Sequence, residues 1–333
     1  MNQFKLASTV LSLAVIIATS VTVSAQTEPP PTQQPDDEVL RVSTNLVTVP
    51  ALVKTQKGAY ISNLRRENFR VYEDGVEQEI ASFEPVDQAF TVALLLDMSD
   101  STRLRLRETQ DAALAFLNQL RPGDRAFVVA FDKQFNVLTP PTADRKTLSE
   151  GINRVQTGGG TAVYDAIDTV IHAYMSKIAG RKAIVILTDG VDTSSLRSNY
   201  ESTLRSATEQ YALIYPIQFG SPQDAMASQV NVQLGHVTYT TPNGEPLSKA
   251  YARGTRYLQS LALTSGGRFQ LSAKLSDLEG SFARIAEELR QQYTLSYYPK
   301  KSASKGGKRK IKVLVDVPEA LVHSRSSYAY KPQ

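Results

Sequence analysis

Four uninterrupted apolar runs mark the middle of the chain: VALLL at 92–96, AFVVAF at 126–131, AIVIL at 183–187 and LIYPIQF at 213–219. A short run that is apolar at every position predicts a strand buried on both faces of a sheet. Between the runs the apolar spacing lengthens to three and four. Leu106, Ala113, Phe116, Leu117 and Leu120 fall on one helical face. So do Val163, Ile167, Val170, Ile171, Tyr174 and Ile178, and later Leu275, Leu278, Phe282, Ile285 and Leu289. Strands alternating with helices predict an α/β domain over 91–292, with a doubly wound, mostly parallel sheet.

On either side of this region the period falls to two. Val47, Val49, Ala51 and Val53 alternate, with Pro50 pointing to an edge strand. FRVYEDGVEQEIASF, 69–83, reads as two short strands around a Glu73-Asp74-Gly75 turn. Past the last helix, Tyr293, Leu295 and Tyr297 alternate, then Ile311, Val313 and Val315, and finally Tyr328 and Tyr330. Each flank is too short for a stable sheet of its own. The expectation is one small β-sandwich, built from N-terminal strands in 41–90 and C-terminal strands in 293–333, with the α/β domain inserted between them. Segment 221–250 reads as a surface excursion.

The beginning of the chain follows a different logic. Lys5 precedes LASTVLSLAVIIATSVTVSA, an apolar run that ends in the small residues Val23-Ser24-Ala25. This is the pattern of a signal peptide over 1–25, cleaved before Gln26. Residues 26–40 then form a linker that opens with the Pro-rich, acidic QTEPPPTQQPDDE. The expected product is exported, to the periplasm or the exterior, with no membrane span left after cleavage.

Composition narrows the chemistry. The 333 residues contain no Cys, which excludes disulfides, thiolate metal sites and thiol catalysis. The three His residues, His172, His236 and His323, are far apart and lack ligand spacing. The net charge of +4 is smaller than the seven bases packed between Lys300 and Lys312, so the rest of the chain is net acidic. That run reads as a solvated hairpin tip. Without aromatic interleaving it does not argue for nucleic acid as a partner.

Hard oxygen donors gather where an open parallel sheet binds its ligands, beyond the carboxyl ends of the strands. The first run ends in Asp97-Met98-Ser99-Asp100-Ser101 and the third in Thr188-Asp189-Gly190. Between them Gly158-Gly159-Gly160-Thr161 leads into a helix. Taken singly, each piece suits local turns and helix caps. In this order the D-x-S-x-S, Thr and T-D-G set resembles the metal-ion-dependent adhesion site (MIDAS) of von Willebrand factor type A domains. The flanking VYEDGVEQEIASF, YTLSYYP and KIKVLV resemble the bacterial subfamily of that domain found in exported proteins.

The resemblance implies Ser99, Ser101 and Thr161 as direct ligands of a divalent metal, with Asp97 and Asp189 holding it through water. Mg²⁺ is the expected ion and Mn²⁺ the alternative. Neutral hydroxyls leave such an ion electrophilic, so the implied partner is a protein that offers an acidic side chain. Asp100 stands where many family members have Gly, adding negative charge beside the site. The expected function is therefore non-enzymatic, metal-dependent protein binding. One alternative is a structural envelope protein that the metal only rigidifies. Another is a phosphohydrolase of the haloacid-dehalogenase type, suggested by Asp97 and by Asp189-Gly190-Val191-Asp192. That chemistry needs a second Asp two residues after the first, and Ser99 stands there.

Overall fold

The structure is a computed structural model that describes residues 46–99, 102, 105–209, 212–220, 240–272, 277–300 and 307–330. The expected signal peptide and linker lie outside the described residues. So do Asp100, Ser101, Leu275, most of the 221–250 excursion, and Lys301 and Lys305.

Every apolar run becomes a strand of one sheet. Strands β5 (Phe90–Asp97), β6 (Arg125–Phe131), β8 (Arg181–Thr188) and β9 (Leu213–Phe219) pair in parallel. Two three-residue strands flank them, the antiparallel β7 (Phe135–Val137) and the parallel β10 (Gln270–Ser272). The strand order is β10-β9-β8-β5-β6-β7. All eight residues of β5 are buried, as a strand covered on both faces requires.

Helices cover the two faces. On one lie α1 (Leu106–Gln119), α2 (Arg145–Asn153) and α6 (Leu278–Arg290), contributing Phe116, Leu148 and Phe282 to the core. The opposite face holds α3 (Val163–Thr169), α4 (Tyr200–Glu209) and α5 (Leu247–Ser265), with Ile167, Ala207 and Tyr257 turned inward. The α3 helix continues as a π-helical turn over Val170–Tyr174. Helix α5 stops at Gly266, whose φ of 85° ends the helix in the left-handed region at little cost for a residue without a Cβ.

Strands from both ends of the chain form two further sheets. One is ordered β13-β1-β11-β4, from Leu321–Ser324, Val47–Lys54, Gln292–Tyr297 and Ile80–Glu84. The other is β14-β12-β2-β3, from Ser327–Tyr330, Gly307–Val315, Phe69–Glu73 and Val76–Gln78. Both contribute to one apolar cluster that includes Val49, Val71, Leu295 and Val313. The buried carboxylate of Glu73 accepts hydrogen bonds from Tyr297 (2.8 Å) and Tyr328 (2.9 Å) and pairs with Arg309 (3.0 Å).

Three expectations need correction. Pro50 lies in an internal strand, yet β13 reaches along β1 only to Ala51, so the proline sits where one side of the strand is open. The 69–83 segment makes three strands, because after Gln78 the chain crosses to the other sheet at Ile80. The basic run is no hairpin tip over its described second half: Lys308, Arg309, Lys310 and Lys312 belong to β12. There Ile311 and Val313 turn inward while Lys310 and Lys312, which alternate with them, face out.

Candidate metal centre at the sheet switch point

The chain runs from β5 to β6 on one side and then crosses to β8 on the other, so the winding reverses beside β5. Such a reversal leaves a crevice at the carboxyl ends of the strands. Asp97, the last residue of β5, is fully buried there. Its Oδ1 accepts the Ser99 backbone N–H at 3.0 Å, and its Oδ2 accepts the Thr188 hydroxyl at 2.5 Å from the end of β8. Thr188 Oγ1 in turn accepts the Gly190 N–H at 3.0 Å.

Asp189 is held as firmly. Val191 N donates to its Oδ1 (2.9 Å), and the Tyr251 hydroxyl of α5 donates to its Oδ2 (3.0 Å). The Asp189 carbonyl accepts the Gln218 side-chain amide at 2.8 Å. Gly190 turns the chain with φ 82°. Helix α5 passes so close that a Cβ on Gly254 would lie 2.5 Å from the Gly190 carbonyl oxygen. Two glycines thus allow the helix to bring Tyr251 onto Asp189.

The Gly-rich loop is tied to both. Gly158 N donates to Met98 O at 2.8 Å, linking it to the β5 loop. Thr161 is buried, and its carbonyl accepts Thr193 N (2.9 Å) and Ser194 N (3.0 Å) from the loop after β8. Its own N–H donates to Thr193 Oγ1 at 2.9 Å. Asp97, Ser99, Thr161 and Asp189 therefore sit on three mutually hydrogen-bonded loops, all four buried. Ser101, the fifth residue expected here, lies outside the described residues.

The electrostatics of this cluster are unfavourable as it stands. Burial first, and then the charge of Asp189, push the Asp97 carboxyl up to about 7, while hydrogen bonds from Thr188 and Ser99 pull the other way. Among the described residues, the largest influences on Asp97 include no basic group. Two buried carboxylates, each accepting from a hydroxyl, favour a small, hard cation, and every donor on offer is oxygen. Among the described residues no three His, Cys, Asp or Glu side chains come together as a metal cage. The donor set fits Mg²⁺ or Mn²⁺ through hydroxyls and water better than a cage of carboxylates.

Two aspartates that sequence reasoning left out or read differently have evident roles. Asp132 follows β6 directly, and a Cβ on Gly158 would fall within bonding distance of its Oδ2, so this carboxylate packs onto the glycine loop. Its position straight after an apolar run is the signal that would have flagged it. Asp192, the last residue of Asp189-Gly190-Val191-Asp192, accepts Tyr164 N at 3.1 Å in the first turn of α3 and both the N–H and hydroxyl of Ser195. Burial raises its pKa. Its carboxylate is occupied in joining the helix start to the loop.

Residues 92–191 match the family model of the von Willebrand factor type A domain. A UPF0353 protein of Mycolicibacterium paratuberculosis is 25% identical over 214 residues, 60% of each chain. The chain thus spans about 60% of the length of the curated relatives it matches. Among solved structures, a von Willebrand factor type A protein from Catenulispora acidiphila aligns with TM-score 0.47 and 13% identity, over 78% of this chain and 72% of that one. Proximal thread matrix protein 1 of the mussel byssus, with a zinc-occupied MIDAS motif, aligns with TM-score 0.47 and 14% identity, over 65% and 49%. With an α/β sheet wound about β5 and this match over its first three parallel strands, the chain carries a von Willebrand factor type A domain.

Proposed function

We propose that the protein is an exported, non-enzymatic binding module that engages a protein partner through a divalent metal held by Asp97, Ser99, Ser101, Thr161 and Asp189. The observation that carries this reading is the buried pair Asp97 and Asp189, brought together with Ser99 and Thr161 on three mutually hydrogen-bonded loops. Bound there, Mg²⁺ or Mn²⁺ would supply a Lewis-acidic point for a carboxylate of the partner. The chain's own residues do the rest. Thr188 and the Ser99 amide hold Asp97 in place, Tyr251 and Val191 hold Asp189, and the Thr193–Thr161 bonds keep the glycine loop against them. Export rests on the signal-like residues 1–25. Among the described residues no helix is long and apolar enough to cross a membrane.

Metal-dependent melting is the direct test. A ligand that binds only the folded state adds RT ln(1 + [L]/Kd), about 2.7 kcal/mol at a hundredfold excess. Mg²⁺ or Mn²⁺ should raise the melting temperature by several degrees, and Asp97→Ala or Thr161→Ala should abolish the rise while the protein still folds. Partner capture from envelope extract should be lost with EDTA and with either variant. Melting curves indifferent to millimolar Mg²⁺ and Mn²⁺ would overturn the metal centre, and capture that survives EDTA would overturn its role in binding.

A further inference from the structure

Away from the metal centre, β12 presents a row of like charges on its outer face. Lys308, Lys310 and Lys312 are exposed at alternate positions, and exposed Leu314 follows in the same register. Alternate residues of a strand lie about 7 Å apart on one face, so the ammonium groups are anchored at that repeat. Tyr72 of β2 stands opposite Lys312, and Arg70 opposite Leu314. Together with Asp74 and Ser327 these lysines, Tyr72 and Leu314 line a groove of about 760 Å³.

The neighbouring acids are engaged elsewhere. Glu77 pairs with Arg70 at 3.9 Å and accepts the Tyr72 hydroxyl at 3.5 Å. Asp74 pairs with Arg309 at 3.3 Å and accepts the Lys310 backbone N–H at 2.9 Å. Among the described residues no carboxylate forms an ion pair with Lys308, Lys310 or Lys312. Three cations at close spacing repel one another, and an anion of matching repeat relieves that repulsion.

We propose that this groove is a second binding site, for an extended polypeptide segment with acidic residues at alternate positions and an apolar residue at one end. An extended peptide carries its i and i+2 side chains on one side at the same repeat of about 7 Å, so successive carboxylates meet successive lysines. The apolar end meets Leu314 and the face of Tyr72. A concave groove does not suit a flat lipid surface, and a single tyrosine gives bases no stacking platform of the kind single-stranded nucleic acids use.

Fluorescence anisotropy with the full chain tests this, using a labelled peptide of alternating Glu and Thr that ends in Leu. A peptide of the same composition with its Glu residues in one block is the control. The alternating peptide should bind more tightly than the block peptide and weaken as salt rises from about 50 to about 200 mM. The triple variant Lys308→Gln, Lys310→Gln, Lys312→Gln should weaken it about tenfold or more, with an unchanged melting temperature. EDTA and Asp97→Asn should leave this binding intact, which separates the groove from the metal centre. Equal binding of the block peptide overturns the proposal. So does indifference to the triple variant, or tighter binding of oligothymidylate or phosphatidylglycerol vesicles.

Discussion

Gly254→Ala adds a single methyl group to α5 where the helix passes Gly190. The new Cβ would lie 2.5 Å from the Gly190 carbonyl oxygen and 2.7 Å from its carbon, against ordinary contacts of 3.4–4 Å. Both atoms belong to the main chain, so no side chain can rotate away and the helix must retreat by roughly 1 Å. Two terms then oppose each other. Alanine favours the helix over glycine by about 1 kcal/mol. Overpacking a close contact costs about 1–3 kcal/mol, and the retreat also stretches the Tyr251–Asp189 hydrogen bond, another ~1 kcal/mol. The net expectation is a loss of about 1–3 kcal/mol, a fall of several degrees in melting temperature for a chain of this size. Melting curves with EDTA and with Mg²⁺ measure it, and the rise produced by Mg²⁺ should shrink because Asp189 loses its Tyr251 donor. A variant as stable as wild type or more so, with an undiminished response to Mg²⁺, would refute the reasoning and leave helix propensity in control.

Two further predictions follow from the same geometry. The Asp97 pKa is raised from 3.8 to about 7, so the metal-free folded state binds a proton that the unfolded chain releases. Stability without metal should therefore fall as pH rises from about 4 to 7, metal binding should weaken below pH 7, and Asp97→Asn should flatten the slope; denaturant titrations in EDTA across this range check the sign. Truncation after Gln292 removes nearly all of β11 and the whole of β12, β13 and β14, which pair with β1, β2 and β4. Limited proteolysis should then cut within Val47–Lys54, and full protection there would sink the pairing argument.

The interior strands were readable because a strand covered on both sides tolerates almost no polar residue, and their carboxyl ends pointed to Asp97 and Asp189. What stayed hidden depended on partners rather than pattern. Nothing in VEQEIASF says that Val76 and Ile80 enter different sheets, since both alternate correctly with their neighbours. Asp132 stands straight after an apolar run but carries no motif, so its part in the site shows only in its packing against Gly158. Tyr251 is invisible for a related reason: its partner lies 62 residues away, with a helix, a strand and the 221–250 excursion between them. Asp189-Gly190-Val191-Asp192 shows the converse problem, because a metal-loop reading and a helix-capping aspartate use the same residues. In the basic run, the apolar alternation of Ile311 and Val313 outweighed the turn-like composition before it.

The route by which the chain enters and leaves the α/β unit has a mechanical consequence. It departs at the end of β4 and returns at the start of β11, and these neighbouring strands hold Glu84 opposite Thr294. Tension applied between residues 46 and 330 is therefore borne by the flanking strands, and the unit carrying Asp97 and Asp189 hangs as a side loop off the loaded path. Until β4 and β11 part, a pull along the chain does not stretch β5 or separate the loops at its end. A tether attached at the two ends would leave the geometry of the face that bears Asp97 and Asp189 unstrained while its surroundings carry the load.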